Sequence, residues 1–406
     1  MNRVGIIGGG AAGLTAAIAA ARNGAQVTIV EHTARLGKKL LATGNGRCNL
    51  TNAVLEEKHY PGNASFAIRV IEGFDRGAVC ELFEQIGVLP YCNPEGYYYP
   101  RSLQAASVVK ALISEAEHLG VNILSNTTTT EIRKKHSDNC SDIGFTVHTN
   151  NGKLDFDRLI LACGSKAAPS TGSDGSGYLL AGQFGLKMTT VVPALVPLTS
   201  SWKGFKEASG VRVRGRISLW KDGKVIATDR GEFQLADYGL SGIPVFQVSR
   251  YATEPLEAEL DFFPEYTFNE MLQLLHRQTL ERGHIRSADF LGGMIPEKLG
   301  LALLKQTKIA YDEPVGNLDN RKLRALTQNM KSLRVPITGT LGFDRAQICA
   351  GGVDVSELKV ENMECRRIPG LYVVGELVDV DGICGGYNLQ FAWSSGYLAG
   401  KSAALR

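Results

Sequence analysis

The 406-residue chain lacks most of the signatures that settle a function early. None of its eight cysteines forms a C-x-x-C pair, which excludes a zinc ribbon and a thioredoxin-like dithiol. Its seven histidines show no clustered metal spacing, so no metal site is expected. Nowhere do eighteen apolar residues run together, so no membrane span is expected. The N-terminus opens on a strand-like run without the parts of a secretory signal, and a cytoplasmic protein with reduced thiols is expected. Net charge is only +3, from 44 basic and 41 acidic residues, short of what a dominant phosphate-binding surface shows. Proline is scarce at 14 and the glycines follow no three-residue period, which excludes collagen-like and low-complexity chains.

What the chain holds in excess is glycine, at 46 residues well above the usual roughly 7%. Hydrophobic residues at 44% and charged residues at 21% otherwise mark an ordinary folded chain. Residues 1–52, 159–190 and 339–400 hold 26 of the 46 glycines. Clusters at both ends and the middle imply that the chain leaves one ligand-binding unit and returns to it. The stretch from about 191 to 335, with background glycine, reads as an insertion.

Residues 3–7 (RVGII) form a short apolar run ending in Gly8-Gly9-Gly10-Ala11-Ala12-Gly13, a G-x-G-x-x-G. An alanine-rich helical pattern follows, closed by Asn23-Gly24, and a second strand-like run, 25–30 (AQVTIV), ends at Glu31. Strand, glycines, helix, strand and terminal acid together form the dinucleotide-binding pattern. Gly8 permits the tight turn, Gly10 lets a pyrophosphate approach the backbone, and Gly13 lets helix pack on strand. The phosphates meet free N–H groups at the helix start, those of Ala11 and Ala12 included. Glu31, 18 residues past Gly13, is placed for an adenosine ribose hydroxyl.

The motif fits NAD and FAD alike. Arg35-Leu36-Gly37-Lys38-Lys39 and Thr43-Gly44-Asn45-Gly46-Arg47-Cys48-Asn49 then add a basic, glycine-rich stretch where an NAD site passes straight into a helix. Its N–H donors and cations suit a larger ligand, FAD. Lys38 and Lys39 are either part of that contact or solvated surface charge.

Residues 121–124, 127–135 and 145–149 read as strands, the second from its β-branched content, with Thr129 counted among the cofactor contacts. Residues 157–162 (DRLILA) read as a buried strand ending in Ala162-Cys163-Gly164, a second FAD contact through Ala162 and Gly164. The glycines at 172–177 follow no strand directly, so no separate NAD(P)-binding domain is visible. NAD(P)H, if used, visits the flavin. Near the C-terminus, 370–376 (GLYVVGE) is a strand running into Gly375-Glu376, where an acid meets the ribityl chain. Gly385-Gly386-Tyr387-Asn388 opens a helix over 389–403 whose first N–H groups, those of Asn388 and Leu389 included, face the flavin pyrimidine.

Within the insertion, 191–198, 211–220 and 224–229 read as β-rich runs. Arg212, Arg214 and Arg216 alternate with apolar residues, as a solvated strand face or an anion- or RNA-binding one. From 267 the pattern turns helical, with Phe268, Met271, Leu272, Leu275 and Leu280 as core positions, then 299–304 and 318–330.

The stretches GIIGGGAAGLTAA, RLGKKLLATGNGRCNLTN, GYYYPRSLQAASVV, YGLSGIPVFQVSR, AGGVDVSE and GLYVVGELVDVDGICGGYNLQFAWSSGYLAG together resemble the BaiN/RdsA (YhiN-like) family of NAD(P)/FAD-dependent oxidoreductases, nearly end to end. GNGRCN and DVDGICGGYN are the specific blocks. The resemblance implies an α/β fold, a glutathione-reductase-type (Rossmann-like) FAD-binding domain with an inserted β-barrel-like domain and a helical subdomain. The boundaries expected are 1–190 for the first part of the FAD domain, 191–264 for the β-rich insertion on the substrate side, and 265–333 for the helical subdomain. Residues 334–406 supply a return strand of the insertion and then the second part of the FAD domain. FAD is the implied cofactor, with NAD(P)H as transient electron donor. The family's substrates are unlike one another: a conjugated C=C bond, uridine in large-subunit rRNA, and aminoacetone. Two departures stand out. Ala162-Cys163-Gly164-Ser165 replaces a frequent A-T-G-G, and Ala236-Asp237 stands where many members carry Thr-His.

The expected activity is NAD(P)H-driven reduction of an activated C=C bond in a small molecule. Dihydrouridine formation in rRNA, amine oxidation and a non-catalytic flavin redox sensor are the alternatives. Flavin hydride transfer asks a protein for geometry and one proton. Tyr387 and Asn388 are the expected catalytic residues, with Tyr387 either protonating a carbanion or packing against the ring. Cys48 and Cys384 are a redox pair or small packed residues, and Asp379 and Asp381 are ligand contacts or turn caps.

Overall fold

The computed structural model describes residues 1–135 and 144–405, so Cys140 lies outside the described residues. It divides into two compact units, residues 1–192 with 348–406, and residues 193–347.

The first unit is built on a five-stranded parallel sheet in the order Leu371–Val373, Arg158–Leu161, Arg3–Ile7, Gln26–Val30, Asn122–Leu124. Val4, Ile6, Ile29, Leu159, Ile160 and Leu161 are all fully buried, as parallel strands covered on both faces must be. The connection from Arg3–Ile7 to Gln26–Val30 is the helix Ala11–Arg22. Against it lies the last helix, Tyr387–Ala404, and the two backbones touch. A Cβ on Gly396 or Gly400 would stand 2.3 Å from Ala12 O or 2.2 Å from Ala16 O. Strands Thr129–Lys134, Phe145–Thr149 and Gly152–Phe156 form an antiparallel sheet. A smaller sheet pairs Tyr97–Pro100 with both Thr51–Asn52 and Pro90–Cys92.

The second unit is a closed antiparallel barrel in the order Leu198–Ser200, Gly239–Ser241, Lys224–Ala236, Arg212–Lys221, Leu256–Asp261, Leu333–Thr340. Helices Phe268–Glu281, Glu297–Thr307 and Asn320–Lys331 share one hydrophobic core with it. On Arg212–Lys221 the arginines face outward and Val213, Gly215 and Ile217 inward. Met271, Leu272 and Leu275 are buried as their spacing implies, but Leu280 is 87% exposed. Five residues past Leu275 places it about 140° round the helix, off the core stripe. At the foot of the barrel, Lys331 Nζ meets both oxygens of the buried Asp261 at 2.8 and 2.9 Å, and Arg216 meets the same carboxylate at 3.0 Å. Among the described residues no helix is long and apolar enough to cross a membrane.

Candidate functional site

All the expected cofactor residues fall in the first unit. Gly8 has φ +104°, and a Cβ there would lie 2.5 Å from Ala162 O. A Cβ on Gly13 would lie 2.0 Å from Gly8 O, so this glycine closes helix onto turn. Gly10 differs: a Cβ there meets nothing within 4 Å. The first intrahelical bond runs from Leu14 N–H to Gly10 O, 2.9 Å, which leaves the N–H groups of Ala11, Ala12 and Gly13 without helical acceptors. Glu31 is buried and accepts the Gly9 N–H at 2.8 Å and the Thr33 N–H at 2.7 Å. Its two oxygens keep further lone pairs. Beside it, Thr127 N–H bonds Glu31 O, and two residues on, the buried Thr129 Oγ1 has no partner. Ala162 N–H bonds Ile7 O at 2.8 Å, which seats the end of its strand against the turn. A Cβ on Gly164 would face Ser173 Oγ at 3.2 Å. Cys163 is tucked in and its Sγ donates to Ile7 O at 3.5 Å.

Lys39 Nζ pairs with Glu376 Oε2 at 2.5 Å, and Ser165 Oγ donates to the same oxygen at 3.0 Å. Three segments distant in sequence thus meet at one carboxylate. Gly375, just before it, lies against the start of the first helix, where a Cβ would stand 2.9 Å from Ala12 Cβ. Lys38 is exposed, as are Gly44, Asn45, Gly46 and Arg47. Gly44, Asn45, Gly46 and Cys48 all have positive φ, a run of left-handed backbone that turns the chain inward at Cys48. Cys48 is fully buried, and burial pushes its thiol up to about 12, so it stays protonated and poorly nucleophilic. Asn49 is buried and its Oδ1 has no partner.

The last helix presents its N-terminus to this loop. Gln390 N–H to Gly386 O, 2.9 Å, is its first bond, which frees the N–H groups of Tyr387, Asn388 and Leu389. The Asn388 amide clamps the preceding loop: Oδ1 accepts the Gly382 N–H and Nδ2 donates to Gly382 O, both at 2.8 Å. Asp379 Oδ1 accepts the Gly351 N–H at 3.1 Å and so braces a turn, and Asp381 is buried. Tyr387 is 5% exposed and stacks on His59, centroids 4.5 Å apart, with Tyr60 edge-on at 6.0 Å. The Tyr60 hydroxyl donates to Tyr387 O at 3.0 Å. Burial, with Tyr97 nearby, pushes the Tyr387 phenol up to about 12. His59 Nδ1 accepts the Glu56 N–H at 3.2 Å, and burial together with Lys58 lowers its pKa, so the imidazole is neutral with its proton on Nε2. His59 and Tyr60 are additions to the site expected from sequence. No motif announces them, and only the docking of a helix more than 320 residues away makes them part of it.

The residues present fit FAD. Two helix N-termini offer unpaired donors, open space stands over Gly10, a buried carboxylate closes the ribose end, and buried polar atoms of Asn49 and Thr129 want partners. The first helix would take the pyrophosphate, Glu31 the ribose, Glu376 the ribityl side, and the last helix the pyrimidine edge. Among the described residues no group of three or more His, Cys, Asp or Glu is placed to hold a metal. At the second departure from the family pattern, Asp237 is exposed and its Oδ1 accepts the Tyr238 N–H in a turn between barrel strands.

Comparison with known proteins gives the family. The family model described as HI0933-like protein Rossmann domain matches residues 2–402. The chain is 42% identical to the 3-dehydro-bile acid delta(4,6)-reductase of Clostridium scindens over the whole of both proteins. It is 30% identical to the ribosomal RNA dihydrouridine synthase of Escherichia coli over 97% of this chain and 95% of that one. The solved 3-ketosteroid delta1-dehydrogenase of Sterolibacterium denitrificans shares the fold over the full length of both chains, with a TM-score of 0.53 at 11% identity. The chain belongs to the HI0933-like Rossmann-domain family and is an FAD-dependent oxidoreductase.

Proposed function

We propose that the protein reduces an activated C=C bond in a small molecule, an enone, with electrons that NAD(P)H delivers to FAD. The observation that carries this is end-to-end identity of 42% with a reductase of that bond type. FAD, once reduced, would supply the hydride that such a reduction needs, which leaves the protein to place the substrate and provide a proton at the α-carbon. Tyr387 is placed to give that proton: its hydroxyl is protonated throughout the physiological range, burial having lifted its pKa to about 12, and an enolate left by hydride addition is basic enough to take it. Neutral His59 stacks on the phenol ring and fixes its plane, Tyr60 holds its backbone, and Asn388 keeps the preceding loop closed.

The test is anaerobic mixing of the purified flavoprotein with NADH or NADPH, followed by acceptors. Flavin bleaching by one nucleotide and recolouring by a 3-keto-4-ene steroid is the expected result. Recolouring by rRNA transcripts but by no enone would refute it. Peroxide release with an amine substrate, or no turnover with any acceptor, would point to an oxidase or a redox sensor instead. In Tyr387→Phe the stack on His59 survives and turnover falls by about 10²- to 10⁴-fold, with FAD affinity unchanged.

A second reading, uridine reduction in rRNA, is favoured by the relative that is 30% identical. The outward arginines of the barrel give it limited support. Arg216 is committed to Asp261 and Arg212 approaches Glu232 at 3.5 Å.

A further inference from the structure

Asn49 holds chemistry that the site as described leaves unused. Its residue is 9% exposed, and its Oδ1 is buried without a hydrogen-bond partner. That oxygen lies 2.9 Å from where a Cβ on Gly386, the N-cap residue of Tyr387–Ala404, would stand. It is therefore aimed at the mouth of the helix, where the N–H groups of Tyr387, Asn388 and Leu389 precede the first helical bond.

Asn49 is also held in place. Trp393 Nε1 donates to Leu50 O at 2.9 Å, Thr51 Oγ1 donates to Gln390 Oε1 at 2.5 Å, and Asn52 Nδ2 donates to Gly385 O at 3.0 Å. On its other side Cys48 is fixed with φ 60°. Left-handed backbone at a non-glycine residue is sustained only when surroundings impose it, and such residues gather at ligand sites. Together these contacts fix the backbone on both sides of Asn49, which stays buried although an unmet buried amide oxygen is costly.

One acceptor beside several N–H donors complements an acceptor–donor–acceptor edge, the O=C–N–H–C=O of a cyclic imide. The flavin pyrimidine ring carries that edge. We propose that Asn49 Oδ1 accepts the flavin N3–H while the helix N–H groups take the flanking carbonyl oxygens. Asn49 thereby sets the orientation of the ring, a role distinct from the phosphate and ribose contacts. The inference rests on FAD being the cofactor.

Full-length protein freed of flavin is titrated with FAD and with N3-methyl-FAD, which lacks the proton, following flavin fluorescence. The unsubstituted chain is expected to bind N3-methyl-FAD about tenfold more weakly or worse, and Asn49→Ala to bind both within about twofold. Equal binding of the two flavins by the unsubstituted chain overturns the proposal and needs no variant to show it. Unchanged discrimination in Asn49→Ala overturns it as well. If the unsubstituted chain binds neither flavin, the cofactor reading itself fails, which is a different result from binding both alike.

Discussion

The three glycines of the first turn do different work, and substituting them one at a time separates the roles. Gly13→Ala puts a methyl 2.0 Å from Gly8 O, between two stretches of backbone that cannot both yield. Overpacking of this kind costs up to about 3 kcal/mol, and the better helix propensity of alanine returns about 1 kcal/mol. A net loss of about 2 kcal/mol follows, read as a lower urea midpoint at unchanged slope. Gly10 has a negative φ of −84°, and a methyl added there finds no atom within 4 Å. Alanine is a poorer N-cap than glycine, so in Gly10→Ala stability falls by only about 0.5 kcal/mol. The space the methyl enters is where the pyrophosphate would meet the helix. Losing that close approach costs about 2–3 kcal/mol of binding, a rise in the FAD dissociation constant of about 30- to 150-fold. The assay is paired for each variant: urea denaturation of the flavin-free protein and fluorescence titration with FAD. Gly10→Ala that binds FAD like the parent would refute the placement of the phosphates. Gly13→Ala as stable as the parent would refute the steric role given to Gly13.

Gly400→Ala forces the two long helices apart at Ala16 O and should destabilise by about 1–2 kcal/mol after the propensity gain. Gly182→Ala, whose methyl meets nothing within 4 Å, should be neutral or slightly stabilising, so urea midpoints of opposite sign check the pair. Lys331→Met leaves the buried Asp261 with Arg216 and the Phe263 N–H alone, and should lower stability by about 3 kcal/mol in the same assay. Lys187 beside Asp354, with the Ser356 N–H, lowers the Asp354 carboxyl to about 2. A depressed carboxylate stabilises fully above its unfolded value near 4 and loses that contribution as pH falls toward 2. Asp354→Asn should therefore flatten the loss of stability between about pH 4 and pH 2, measured by urea midpoints across that range.

What can be read from the chain tracks how local the governing physics is. The dinucleotide turn is written in six residues because its tightest constraint, Gly13 against Gly8, sits in one βαβ unit, although Gly8 also meets Ala162 at the end of a strand some 150 residues on. Strand runs at 145–149 and 158–161 are legible from apolar and β-branched content alone. Lys224–Ala236 runs well past the 224–229 that alternation marks out, because pairing with Arg212–Lys221 and Gly239–Ser241 on its two sides extends it. Closure of the barrel by Leu333–Thr340 is less legible from the residues themselves, since that strand arrives only after four helices. Leu280 departs from the expected core because a five-residue step imitates helical periodicity without keeping to one face.

The aromatic side of the site escapes the sequence for a related reason. A His-Tyr pair in a short turn has no spacing to recognise, and both rings are as buried as ordinary core residues. What turns them toward chemistry is contact with Tyr387, and that contact depends on where the N-terminus of the last helix docks. The docking is fixed by polar groups hidden inside the unit: Gln390 to Thr51, Trp393 to Leu50, Ser394 to Phe74 O. These bonds are unreadable from composition, because each pairs residues hundreds of positions apart. They also explain why a protonated phenol and a neutral imidazole persist side by side. With the helix seated, burial raises the pKa of the one and lowers that of the other, so neither carries charge near neutral pH. A loosened helix would return both toward their ordinary values: the imidazole would then take up charge just below neutral pH while the phenol stayed protonated, so the neutral stack would be lost before the proton was.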